Sequence, residues 1–373
     1  MDIKKLVRKE IENFQAYVPG KPINEVKREL GIKGNIVKLA SNENSLGASK
    51  KVIAAIKKAA SEVYRYPEGV SYELRKAMAA KTGVNFNEVL FGSGSDEIIE
   101  LLGKVFLNPG DEIVVSKHAF IRYKMAGDLM GCSVVTVPMK NYTHDLPAMA
   151  AVLNVKTKMI FIANPNNPTG TYNTGQELES FLEGLAKKGD TPPLVIVDEA
   201  YYEFALIEKK YPDSVSLLKK YPNLVILRTF SKIYALAGLR AGYAIANSEV
   251  IGYLDRIRPP FNITLITQYA VLAALKDEKT QIKKALKVVE NGKKYLYAEL
   301  EKIGLKYIKT VANFILVESA PKKGKDVFNQ LLKKGVIVRA MDEYELPFHF
   351  RVTVGKKNEN SIFIKELKNI LEE

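Results

Sequence analysis

The sequence predicts an α/β protein whose large domain has a mostly parallel central sheet, with a smaller α+β C-terminal domain. Three observations carry this expectation. Short, almost purely apolar runs recur through the first two thirds of the chain, as expected for strands buried on both faces. Stretches of helical periodicity separate them. After Arg258-Pro259-Pro260-Phe261 the texture changes, and long helical stretches dominate.

Taken in order, residues 1–40 read as an arm. It holds a charged, helically spaced N-terminus, Met1 to Glu10, and a loop at Tyr17-Val18-Pro19-Gly20-Lys21-Pro22. Residues 41–262 form the large domain, with strands expected at Val89-Phe91, Glu112-Val115, Val134-Val137, Met159-Ala163, Leu194-Val197, Leu224-Arg228 and Gly242-Ala246. Helices are expected between several of them, for example Asp96 to Phe106 and Glu177 to Lys188. Residues 263–373 form the small domain. A helical stretch from Leu265 to Ile303 has a weak break near Asp277. Asn313-Val317, Lys325-Lys334, Val336-Arg339, Arg351-Val354 and a terminal amphipathic helix follow.

Composition narrows the function. The 373 residues are 47% hydrophobic, enough for a sizeable core. The net charge of +14 raises the question of nucleic acid, but the lysines are scattered and interleaved with glutamate on helical faces. That pattern is a solvated surface, which also favours anionic small substrates. A single cysteine, Cys132, excludes an intrachain disulfide and a cysteine metal cluster, and it reads as a small apolar side chain. No metal site is expected. The N-terminus lacks the apolar core of a secretory signal, and no run approaches the roughly 18 apolar residues of a membrane span. A cytoplasmic protein that binds neither membrane nor nucleic acid is expected.

In an open parallel sheet, ligands bind beyond the carboxyl ends of the strands. After Val89-Phe91 comes Gly92-Ser93-Gly94-Ser95-Asp96-Glu97, opening a helix whose free amides suit a phosphate. A plain turn with Ser95 or Asp96 capping the helix would look the same. After Met159-Ala163 comes Asn164-Pro165-Asn166-Asn167-Pro168-Thr169-Gly170, where two prolines fix the turn and present Asn167. Asp198 ends an apolar strand, a costly place for an acid without a cationic partner, although a cap or salt bridge would also explain it. After Leu224-Arg228 come Thr229-Phe230-Ser231-Lys232 and then Arg240. A lysine in a partly desolvated, cationic pocket has a lowered pKa and becomes nucleophilic toward an aldehyde. A phosphate cup, an amide, an acid and an amine are the parts of a pyridoxal-phosphate site, with the acid keeping the ring nitrogen protonated.

With these residues in view, the chain resembles the fold-type-I pyridoxal-phosphate-dependent aminotransferases of the class I/II group. Within that group it is similar to those that transaminate histidinol phosphate. The likeness runs from Tyr17-Val18-Pro19-Gly20-Lys21-Pro22 to Phe350-Arg351-Val352-Thr353-Val354-Gly355, through Leu39-Ala40-Ser41-Asn42-Glu43-Asn44, Arg65-Tyr66-Pro67-Glu68-Gly69 and His118-Ala119-Phe120. The resemblance implies that Lys232 carries the cofactor as a Schiff base and shuttles the proton. It implies that Asp198 pairs with the pyridinium and that Asn167 and Tyr201 hold the ring oxygen. Phe120 would stack on the ring, with Thr229 close by. Ser95 and Asp96 amides, Ser231 and Arg240 would hold the phosphate. Tyr66 would reach the phosphate of the neighbouring subunit in a homodimer, to whose contact the arm adds. Arg351 would bind the substrate anion, the phosphate of histidinol phosphate or a carboxylate of glutamate and 2-oxoglutarate, with Arg339 and Tyr17 as further ligands. His118 is expected to be structural. Three other readings stand beside this one: an aromatic amino acid aminotransferase, a phosphothreonine-type decarboxylase, and a non-catalytic regulator on the same fold.

Overall fold

The structure, a computed structural model, describes residues 1–12, 14–32, 34–187, 189 and 191–372. In chain order the strands are β1 (Val37–Lys38), β2 (Val89–Ser93), β3 (Glu112–Ser116), β4 (Ser133–Val137), β5 (Thr157–Ala163), β6 (Leu194–Asp198), β7 (Leu224–Thr229) and β8 (Ala241–Ala246), followed by β9 (Tyr307–Ile308), β10 (Phe314–Glu318), β11 (Val336–Ile337), β12 (Arg339–Ala340) and β13 (His349–Thr353).

Seven strands form the central sheet in the order β2-β8-β7-β6-β5-β3-β4, and only β8 runs against the rest. Each run of apolar residues expected to be a strand is one, and the inner strands are covered on both faces. Every residue of β3, β7 and β8 is buried, and separate apolar clusters lie on the two sides of the sheet. Edge strand β4 keeps only Val137 fully buried. The helix expected from Asp96 starts at Gly94 and ends at Phe106. The one expected from Glu177 spans Gly175–Ala186, because Thr174 and Glu177 form a capping box that starts it early; Lys188 lies outside the described residues.

Beyond the sheet, the stretch expected over residues 265–303 is two helices meeting at Asp277, Leu265–Lys276 and Glu278–Ile303. The first packs on the Lys50–Ala59 and Tyr72–Thr82 helices, the second on Lys357–Glu372. Strands β12-β13-β10-β9 form an antiparallel sheet, and β1 pairs in parallel with β11, so the chain before residue 40 adds to this smaller unit. Cross-strand register sets Arg339 opposite Arg351. Behind the sheet, Arg228 and Glu199 form a buried ion pair at 2.7 Å, and Ser214 donates to the same carboxylate. This pair ties the end of β6 to β7.

Candidate active site

The carboxyl ends of β5, β6 and β7 open onto one cavity, closed from the other side by the arm and by β12 and β13. Every residue expected at the site lines it except Tyr66. Tyr66 is 82% exposed and stacks on Phe261 at 4.7 Å, on a surface shared with the exposed Val63, Tyr64 and Val70.

The turn after β2 does not use Ser95 or Asp96 as a cap. The helix is led by Ser93, whose side chain makes no capping bond, so the first-turn amides of Ser95 and Asp96 stay available. Two glycines are required by close approach. A Cβ on Gly94, where φ is +75°, would lie 2.4 Å from Arg240 Nη2; one on Gly242 would lie 2.4 Å from the Ser95 amide nitrogen. Arg240 reaches over this cup and donates to Asp96 at 3.2 Å. Thr229 donates to the Ala241 carbonyl and accepts the Ser231 amide, holding Ser231 at the cup.

Asp198, at the end of β6, is 5% exposed and has no ion-pair partner among the described residues. The salt-bridge explanation therefore fails. Its Oδ2 accepts the Tyr123 hydroxyl at 2.7 Å and its Oδ1 accepts the Ala200 amide at 3.0 Å. Burial pushes its carboxyl up to about 6, and the negative Asp96 and Glu199 add to the rise, while those two hydrogen bonds oppose it. Such a group binds a cation well.

Lys232 is half-buried and donates Nζ to the Ser41 carbonyl at 3.2 Å. Burial, then the Arg351 and Arg240 guanidiniums, bring its ammonium down to about 8. Near neutrality a usable share of the amine is deprotonated. Asn167 accepts from Arg351 Nη1, and the Tyr201 hydroxyl accepts from Asn42 Nδ2 at 2.7 Å. Phe120 meets Tyr123 edge-on at 5.6 Å, and Tyr123 stacks on Phe161 at 4.7 Å.

Arg351 is 6% exposed and donates Nη2 to the Ala40 carbonyl at 2.7 Å, while its buried Nε finds no partner. Arg339 pairs with Glu343, donates to the Val18 carbonyl at 2.7 Å and lies 5.8 Å from the Tyr17 ring. His118 bonds the Tyr344 carbonyl through Nδ1, at 2.5 Å, and so ties the turn before β13 to the Phe120 loop. Cys132 lies outside the cavity, and burial raises its thiol to about 11.

Sequence reasoning missed four lining groups. Ser41 and Asn42 were quoted only as landmarks; Tyr123 and Tyr344 were not singled out. The φ of Asn42, +55°, lies in the left-handed region, which asparagine tolerates better than most residues. No sequence signal marks Tyr123, which has the spacing of any core aromatic on a helix.

Comparison with known proteins gives a consistent result. The family model for aminotransferase class I and II matches residues 34–367. The chain is 46% identical to a histidinol-phosphate aminotransferase of Moorella thermoacetica, covering 98% of this chain and 92% of that one. It is also 46% identical to histidinol-phosphate aminotransferase 2 of Carboxydothermus hydrogenoformans, over 98% and 99%. Its fold matches that of histidinol-phosphate aminotransferase from Sinorhizobium meliloti, crystallised with pyridoxal-5'-phosphate, with a TM-score of 0.88, 24% identity and coverage of 98% and 97%.

Proposed function

This chain belongs to the aminotransferase class I and II family, and from that premise we propose that it transfers the amino group of L-histidinol phosphate to 2-oxoglutarate, giving imidazole acetol phosphate and glutamate. The observation that carries the reading is Arg351, a buried guanidinium that among the described residues has no carboxylate partner and an unpaired Nε, lining the same cavity as an amine lowered to about 8. A site so built calls for an anionic substrate with an amino or carbonyl group next to Lys232. The full-length relatives name which substrate.

Pyridoxal phosphate fits the residues present. The buried, cation-seeking Asp198 suits the ring nitrogen, and the Ser95 and Asp96 amides with Ser231 and Arg240 suit the phosphate. Asn167 and Tyr201 suit the ring oxygen, Phe120 its face, with Thr229 beside it. When bound, the cofactor supplies an electron sink for the pair left at the substrate's Cα. Asp198, once ionised, holds a proton on its cationic partner and keeps that sink effective. Lys232 Nζ takes the proton from Cα of the amino donor and, in the second half-reaction, returns one to Cα of the glutamate formed. Arg351, with Arg339 and Tyr17, holds the substrate's phosphate or carboxylate, which fixes Cα before Nζ.

The exposed aromatic surface around Tyr66 supports a homodimer in which Tyr66 completes the partner's phosphate cup. Among the described residues no helix is long and apolar enough to cross a membrane; we place the enzyme in the cytoplasm.

The test is kcat/KM for L-histidinol phosphate and for L-phenylalanine, with 2-oxoglutarate as acceptor. A preference of about a hundredfold, or 2.7 kcal/mol, for histidinol phosphate is expected. Preference for phenylalanine would keep the mechanism and move the enzyme to aromatic amino acids.

A further inference from the structure

The two guanidiniums at the anion end of the cavity differ in their counter-charges. Among the described residues Arg351 has only neutral hydrogen-bond partners, the Asn167 amide and the Ala40 carbonyl. Arg339 carries a carboxylate, Glu343, four residues on in the Asp342–Tyr344 turn between β12 and β13. Both polar contacts of Arg339 run through Nη2, one to Glu343 and one to the Val18 carbonyl. Its Nη1 makes no hydrogen bond among the described residues. It lies toward Gly20, where a Cβ would be 3.7 Å away, and Gly20 lines the cavity. The side chain of Glu343 is 28% exposed and outside the cavity lining. Its contact with the cavity runs through Arg339, which it reaches by an ion pair.

We infer that Glu343 is a positioning residue that trims the charge of Arg339 and so balances a dianionic phosphate against a monoanionic carboxylate in one site. The inference rests on the reading of Arg351 and Arg339 as the anion-binding pair. Both half-reactions use that pair, one with a phosphate and the other with a carboxylate. Coulomb energy scales with ligand charge, so each unit of positive charge at the site favours the dianion twice as strongly. A second uncompensated arginine would hold phosphate esters against any competing carboxylate. Glu343 cancels that excess, while the Val18 carbonyl holds the guanidinium in place and Nη1 stays free to donate.

Glu343→Gln separates charge from geometry, because the amide oxygen still accepts from Nη2. The holoenzyme would be titrated at pH 8 and low salt with inorganic phosphate and with acetate, read by the absorbance of the bound cofactor. Relative to the parent enzyme, E343Q is expected to bind acetate about threefold and phosphate about tenfold more tightly, the second factor being near the square of the first. Its kcat should be unchanged, and its KM for 2-oxoglutarate measured against phosphate should rise. The same substitution in an Arg339→Gln background should tighten both anions by a smaller factor, because a Glu343 without its guanidinium partner turns to solvent, where its charge is screened. Unchanged or weaker phosphate binding in E343Q, with R339Q itself weakening phosphate, would overturn the role of Glu343 and leave the anion-binding pair standing. No effect of R339Q on phosphate would overturn both.

Discussion

The two halves of the cavity are built on different physical terms. The half at the ends of β5, β6 and β7 takes its order from the backbone. Its acid, amide and hydroxyl groups sit within a few residues of buried strands; local bonds such as Ala200 to Asp198 and Ser231 to Thr229 hold their turns, and Tyr123 and Asn42 add bonds from outside them. The half formed by the arm, β12 and β13 depends on side chains crossing between distant segments. Arg351 reaches Asn167 and Ala40, and Arg339 reaches Val18. On the reading proposed above, the first half holds one group that stays through the reaction. On the same reading the second accepts and releases anions of different charge; Arg351 is held there by an amide and a carbonyl, and Arg339 by a carbonyl and the Glu343 carboxylate.

The contrast predicts where substitutions act. Lys232→Ala removes the group proposed to move the proton at Cα, and turnover should fall by about 10^2- to 10^4-fold. Substrate affinity should change little, because the anion end is untouched. Retained activity in this variant would sink the assignment of the strand-end half. Arg351→Gln strikes the other half. It should raise KM for both substrates and lower kcat/KM by about 30- to 150-fold, the worth of a hydrogen-bonded charge at roughly 2–3 kcal/mol. Cofactor affinity should stay near that of the parent. A loss confined to kcat would erase the distinction between the halves.

The same contrast explains what the sequence disclosed. Lys232, Asp198 and Asn167 were legible because each follows a buried apolar run, and the proline-framed heptad marks its turn. The open choice at Ser95 and Asp96 needed coordinates, since capping and phosphate binding share one local pattern. Arg351, Arg339 and Tyr17 came from resemblance alone. No local rule brings β12, β13 and the arm together, and the two-residue strand β1 is too short to show a period. The Tyr123–Asp198 and Asn42–Tyr201 bonds span 75 and 159 residues, so no window of sequence contains them.

Asp198 offers a test on stability. Its folded pKa of about 6 lies above the usual carboxylate value, so the ionised form is disfavoured by the fold. Without cofactor this group contributes nothing below about pH 4, where it is protonated folded or unfolded. As pH rises from about 4 to 6, the burial of the charge removes stability, up to on the order of 3 kcal/mol. Asp198→Asn should therefore melt higher than the parent at pH 8 when both lack cofactor, with the gap closing near pH 4. Cofactor should reverse the order, because only the carboxylate gains an ion pair. If the apo variant melts lower at pH 8, the carboxyl is not strained as its burial implies.

Tyr123→Phe should produce the smallest effect, and it probes whether the strand-end half needs support from outside its own loop. The phenyl ring keeps the stack on Phe161 and the edge contact with Phe120, so folding is preserved. Only the 2.7 Å bond to Asp198 Oδ2 is lost. That bond favours the ionised carboxyl, so its loss raises the Asp198 pKa further. Cofactor affinity, plotted against pH, should break near 6 in the parent and about one pH unit higher in the variant, in proportion to a charged hydrogen bond of about 1.5 kcal/mol. Well above the break the two proteins should bind alike, since the bond is present with and without cofactor. A uniform loss of affinity at every pH would mean that Tyr123 shapes the cavity wall and leaves the charge of Asp198 alone.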